Sequence, residues 1–120
     1  MIASSQEWHQ RFVNQAAWTR TLRNYLFQRA NLNQQSRILE VGCGTGAVLS
    51  EVSSSRMMLY GLDINRQHLD LCAQIAPGSN LLQGDAFRLP FPPGSFDLIY
   101  SHFLFLWLPH PLEALVEMMR

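Results

Sequence analysis

A carboxylate, Glu40, stands two residues ahead of the glycine run Gly42-Cys43-Gly44-Thr45-Gly46, and two further carboxylates, Asp63 and Asp85, close later apolar runs. Glycine accepts backbone angles that other residues resist, so such a run brings bare backbone against a ligand. A helix starting behind it aims unpaired N–H groups and the positive end of its dipole at whatever binds. Asp63 follows the loop by about twenty residues, the interval at which an acidic side chain accepts from ribose hydroxyls. Asp85 has the chemistry to accept from an adenine amino group, and the N–H of Ala86 to donate to a ring nitrogen. Ile64 and Phe87 offer apolar surface to such a ring. Taken singly, Asp63 or Asp85 fits a solvated carboxylate or a helix cap equally well. In order, they point to a nucleotide-like cofactor.

The elements that would carry these residues follow from periodicity and turn chemistry. Ser4 and Glu7 have capping-box spacing and open one broken helix or two short ones, running to about Ala30. Trp8, Phe12 and Ala16, then Trp18, Leu22, Tyr25 and Leu26, recur at helical intervals. Asn31 to Ser36 reads as a turn. Strands are expected at Arg37 to Val41, Met57 to Leu62, Asn80 to Gln83 and Phe96 to Ser101. Helices are expected from Thr45 to about Ser53 and from an Asn65 cap to about Ile75, with Leu69 and Leu71 among the buried candidates. A further helix begins near Pro111, which suits a first helical turn. Pro90, Pro92, Pro93 and Gly94 mark a loop. Alternating strands and helices imply an α/β fold, a parallel sheet flanked by helices with right-handed crossovers. In such a sheet ligands collect beyond the carboxyl ends of the strands, where the glycine loop, Asp63, Asp85 and Ser101-His102 all fall.

Bulk properties narrow the partners. Nearly half of the 120 residues are apolar, and nine Lys and Arg balance nine Asp and Glu, giving a formal net charge of zero. The chain is a folded globule without a field drawing it to nucleic acid or an anionic membrane. No run is long enough to span a bilayer. Two cysteines, Cys43 and Cys72, make no disulfide framework, and a cytoplasmic location is expected. His9, His68 and His110 lack metal-ligand spacing, so no metal is expected.

The glycine pattern alone also satisfies a dinucleotide fingerprint, Gly42-x-Gly44-x-x-Ala47. The wider set of motifs resembles the class I S-adenosylmethionine-dependent methyltransferases, of the type 11-like kind. The residues that carry the resemblance are Ile38 through Gly46, Gly61-Leu62-Asp63-Ile64, Gly84-Asp85-Ala86, Leu89-Pro90-Phe91 and Ser95-Phe96-Asp97-Leu98-Ile99. Trp107-Leu108, Pro111, Ala114-Leu115, Glu117 and Arg120 extend it, so that it covers Arg37 to Arg120. The resemblance implies a Rossmann-like sheet, cut after the fourth strand and its following helix. It divides the chain into an N-terminal helical segment, 1–36, and an incomplete cofactor-binding domain, 37–120.

What the resemblance implies for the site is specific. S-adenosyl-L-methionine would be the cofactor and S-adenosyl-L-homocysteine its product. Glu40 would lie near the methionine ammonium, with Gly42, Cys43 and Gly44 beside the methionine portion. Asp63 would hold the ribose and Ile64 would touch the adenine, whose edge Asp85 and Ala86 would read. Ser101 would approach the amino-acid part of the cofactor. His102 and Phe103 would face the place where methyl donor and acceptor meet, which makes His102 the one candidate for a base; a hydrogen-bonded, pocket-lining histidine is the alternative. Cys43 reads as a small residue chosen for fit rather than a reactive thiol. Phe103, Phe105 and Trp107 either stack a flat acceptor or cover core. Trp8, Phe12 and Trp18 read as a helix face docked on the sheet. The acceptor would be a small molecule, and the open edge of the fourth strand would pair with a second copy or a partner chain. The alternatives are a non-catalytic cofactor-binding or assembly module and an NAD-dependent oxidoreductase.

Overall fold

The computed structural model of the chain describes residues 3–52 and 58–120. Helices α1 (Ser5–Trp18) and α2 (Arg20–Arg29) precede β1 (Arg37–Val41), α3 (Leu49–Val52), β2 (Met58–Asp63), α4 (Arg66–Ile75), β3 (Asn80–Gln83), β4 (Leu98–Tyr100) and α5 (Pro111–Met119). The strands form a sheet in the order β3-β2-β1-β4, parallel at every pairing. This is the expected Rossmann-like arrangement. Its register sets Glu40 opposite Gly61 on one side and Tyr100 on the other.

Local chemistry explains the element boundaries. Ser4 caps α1 by accepting from the Glu7 N–H, while Glu7 returns the bond to the Ser4 N–H at 2.8 Å. The helix breaks at Thr19, and α2 follows at once. Asn65 caps α4 by accepting from the His68 N–H at 3.0 Å. Helix α3 is shorter than expected, because Thr45 to Val48 is spent in turns. Its expected end at Ser53, and the expected strand start at Met57, lie outside the described residues. Strand β4 is also shorter than expected. Before it, Asp97 accepts the Arg37 N–H on its side chain at 2.8 Å, and Phe96 turns into a ring cluster with Tyr60 and Phe91. The proline-rich loop is tied down from α5, where Glu117 accepts the Leu89 N–H and Arg120 donates to the carbonyls of Leu89 and Phe91.

The two faces of the sheet carry separate cores. Ile38, Leu59, Leu69 and Cys72 pack on the face covered by α3 and α4, while Leu39, Val41, Leu62 and Ala114 pack on the face covered by α5. Alternation along β1 therefore places Glu40 on the Ile38 face, inside the protein. On α4 the buried position beside Leu69 is Cys72 rather than Leu71, which is half-buried. On α2 the apolar stripe Leu22, Tyr25 and Leu26 faces outward, and Arg23 is buried instead. Arg23 can be inside because Glu51 neutralises it through an ion pair.

Gly61 sits in the middle of the sheet with no room for a side chain. A Cβ there would lie 2.8 Å from Cys43 Sγ, 3.0 Å from Leu81 and 3.1 Å from Leu49. Gly61→Ala is expected to lower unfolding stability by about 1–3 kcal/mol. Urea denaturation of the two proteins checks this, and equal midpoints would contradict the packing described.

Candidate functional site

A cavity of about 340 Å³ opens at the carboxyl end of the sheet. Its floor is the turn after β1, from Glu40 through Gly42, Cys43 and Gly44. Asp63 and Asn65 close one side, at the end of β2 and the start of α4. Trp8 and Phe12 of α1 form a wall, and His102, Phe103, Leu104 and Trp107 form the wall that follows β4.

The turn after β1 is held from two directions. The N–H groups of Gly42 and Cys43 both donate to the Leu62 carbonyl, at 2.7 and 3.0 Å. The Gly44 N–H donates to Asp63 Oδ2 at 2.8 Å, and the Asn65 N–H to Asp63 Oδ1 at 2.9 Å. Gly42 and Gly44 have φ of 75° and 54°, the left-handed region that glycine enters without strain. A Cβ at Gly42 would also lie 2.7 Å from the Leu104 side chain, and one at Gly44 would press on the Phe12 ring at 3.1 Å. Bare backbone therefore faces the cavity because nothing larger fits.

Glu40 is 3% exposed, and the Tyr100 hydroxyl donates to its Oε1 at 3.0 Å. Burial pushes its carboxyl well above the usual range, against the opposing effect of the Tyr100 bond. Burial, then the neighbouring Glu40, pushes the Tyr100 phenol up as well. Cys43 is buried, and its hydrogen bond with Cys72 and its burial hold the thiol protonated. Its side chain packs in the cluster of Ile38, Leu49, Leu59 and Cys72. His68 and His102 are both pushed below the usual imidazole range, chiefly by burial.

The cavity brings together Glu40, Gly42, Cys43, Gly44, Asp63 and His102 of the residues singled out from sequence. It does not bring Ile64, Asp85, Ala86 or Ser101 to its wall. Ile64 is exposed just beyond Asp63. Asp85 turns back on its own chain, accepting the Phe87 N–H at 2.9 Å, and Ala86 packs into the core beside Leu39 and Val41. The Gly84 N–H donates to the Asp63 carbonyl at 3.0 Å, which ties the end of β3 to the end of β2. Ser101 is half-buried after β4.

The aromatic residues divide. Trp8 and Phe12 stack with centroids 5.7 Å apart, and Trp8 meets Trp107 edge-on at 6.3 Å, so α1 reaches across to the segment after β4. Phe105 packs into the core. Trp18 is 74% exposed, off the Trp8 and Phe12 stripe, because six residues from Phe12 is not a helical interval. Leu104 and His68 were not foreseen as wall residues. Leu104 reaches Gly42 only because Phe103 adopts a φ of 60°, which nothing in the local sequence announces.

A buried carboxyl whose folded pKa is raised contributes stability that is complete below its unfolded value and is lost as pH rises through its folded value. Glu40→Gln is therefore expected to raise the Tm of the ligand-free chain at neutral pH. The gain should vanish below about pH 4. Thermal denaturation across this range checks the sign, and a less stable variant at neutral pH would contradict it.

Comparison with known proteins now has a site to refer to. A family model described as a methyltransferase domain matches residues 39–120. Demethylmenaquinone methyltransferase of Staphylococcus epidermidis is 34% identical over 104 residues, covering 82% of this chain and 43% of that protein. The sterol 24-C-methyltransferase erg6 of Schizosaccharomyces pombe is 31% identical over 108 residues, covering 81% and 29%. A SAM-dependent methyltransferase from Aquifex aeolicus of known structure superposes with a TM-score of 0.69 at 22% identity, covering 81% and 56%. The chain thus spans less than half the length of these two curated relatives. The chain belongs to the methyltransferase domain family.

Proposed function

We propose that the cavity binds S-adenosyl-L-methionine and that the chain supplies the cofactor-holding part of a methyltransferase acting on a small molecule. The observation that carries this is the meeting of Glu40, the bare Gly42–Gly44 backbone and Asp63 around one cavity. When bound, the group supplies a sulfonium-activated methyl that an acceptor lone pair can take. The residues fit such a group. Asp63 spends one lone-pair site on each oxygen holding backbone N–H groups, which leaves acceptor capacity for a diol. Glu40 is a desolvated carboxyl beside the turn whose burial outweighs the opposing effects of Tyr100 and Arg23, and an incoming ammonium would favour its ionised form. Trp8, Phe12, Phe103 and Trp107 offer apolar wall that would limit water around a bound group, and Ile64, exposed next to Asp63, is available as an adenine contact in this reading. Asp85, Ala86 and Ser101 belong to this reading as cofactor contacts expected from the sequence, although none of them lines the cavity. The two curated relatives are named for methylation of a demethylmenaquinone and of a sterol, which supports an apolar acceptor of small-molecule size.

Among the described residues β4 is an edge of the sheet, and Leu22 and Leu26 on α2 and Leu112 and Val116 on α5 are exposed apolar residues. We further propose that a second copy of the chain pairs there.

Calorimetric titration with S-adenosyl-L-homocysteine tests the cofactor. The chain is expected to bind it, and Asp63→Asn to weaken binding by about 10-fold or more, the worth of a charged acceptor. A nicotinamide dinucleotide is expected to give no saturable heat. Binding of the dinucleotide alone would overturn the reading in favour of an oxidoreductase. Sedimentation at high protein concentration checks the edge, with dimer expected; a clean monomer would contradict it.

A further inference from the structure

A chain of polar contacts runs from Glu51 on α3 through Arg23 and Thr19 to His102 on the cavity wall. Arg23 is 7% exposed. Its Nε donates to Glu51 Oε2 at 3.1 Å, its Nη2 donates to the same oxygen, and Nη1 donates to the Ala16 carbonyl at 3.0 Å and to Thr19 Oγ1 at 2.8 Å. Thr19 Oγ1 lies 2.7 Å from His102 Nε2. A guanidinium has only donors, so Arg23 occupies a lone pair of the Thr19 hydroxyl. The single hydroxyl proton then has two acceptors, His102 Nε2 at 2.7 Å and the Ala16 carbonyl at 3.5 Å. The second lone pair of the hydroxyl can also accept an Nε2–H, but that arrangement leaves the hydroxyl proton to the 3.5 Å contact, so the distances favour donation to Nε2 and a ring proton on Nδ1.

We propose that His102 is a hydrogen-bond donor of the cavity wall through Nδ1–H rather than a proton acceptor, with Thr19 and Arg23 as positioning residues that hold this tautomer. Protonating the ring would reverse the Thr19 bond and set a second cation near Arg23. The charged groups facing the imidazole are Arg23 from α2 and Glu51 from α3, and Glu51 also carries Arg20. Glu40 on β1 and His68 on α4 line the same cavity. The consequence for chemistry rests on the methyl-transfer reading: an acceptor lying against His102 presents a lone pair to it. An acceptor that must first surrender a proton finds no base there. The tautomer itself does not depend on that reading.

Long-range proton–nitrogen NMR of the full chain with nitrogen-labelled histidine tests this, from about pH 8 to about pH 5. The His102 signals are assigned by their loss in His102→Gln. The wild-type ring is expected as the Nδ1–H tautomer, charging only below the usual histidine range. Thr19→Val is expected to give mixed tautomers and to move the titration upward, and Thr19→Ser to restore the wild-type pattern. An Nε2–H tautomer in the wild type would overturn the proposal, as would a folded Thr19→Val with an unchanged spectrum. If Thr19→Val fails to fold, the wild-type and Thr19→Ser spectra still decide. Titration with S-adenosyl-L-homocysteine on the same samples separates the two readings: its failure removes the methyl donor and leaves the tautomer standing.

Discussion

The Asp63 carboxylate and its own peptide join pieces of chain that lie far apart in sequence. The side chain accepts the Gly44 N–H from the turn after β1 and the Asn65 N–H at the start of α4, and the Asp63 carbonyl accepts the Gly84 N–H beyond β3. A charged acceptor makes the stronger kind of hydrogen bond. Without it the Gly44 N–H would lose its partner on β2, leaving the Gly42 and Cys43 bonds to the Leu62 carbonyl to tie the turn to that strand. The shape of the cavity floor therefore depends on an ionised residue at the end of the neighbouring strand. The parallel register of β1 and β2, which pairs Val41 with Leu62, is what brings Asp63 within reach.

Against this held frame, Glu40 is the expensive residue. Its place in the β1 alternation puts it on the Ile38 face, and the Tyr100 hydroxyl offsets its burial only in part. A carboxyl retained under such desolvation lowers stability in the empty protein and stores attraction for a cation. The same economy of charge recurs around Arg23, whose burial is made tolerable by Glu51 and Thr19. Both buried groups lie at the cavity, Glu40 in its floor and Arg23 behind its wall through Thr19 and His102. The hydrophobic clusters on either side of the sheet carry the rest of the fold.

Much of this was readable from residue order. The strand at Arg37–Val41, the Asn65 cap, the Ser4–Glu7 box and the parallel alternation all follow from local chemistry, and the structure has each of them. Glu40 and Asp63 were recognisable because strand ends and glycine turns declare themselves within a few residues. What was not readable depends on contacts between distant segments. The inward turn of Arg23 requires Glu51, twenty-eight residues away. The position of Leu104 over Gly42 requires a left-handed Phe103. The early stop of the regular structure around β4 reflects Asp97 bonding Arg37 and the rings of Tyr60, Phe91 and Phe96 packing together. An apolar helical stripe on α2 was visible in the sequence, but periodicity alone does not say which face meets the sheet, and there it faces out.

The central claim is that ligand, loop and carboxylates meet at the strand ends. Amide NMR of the labelled chain during addition of S-adenosyl-L-homocysteine tests it most directly. The account predicts that the largest shifts fall on the Gly42, Cys43 and Gly44 amides and on Asp63 and Asn65, with the far ends of the strands unmoved. Shifts confined to α5 or to the β4 edge, or none at saturating ligand, would contradict it.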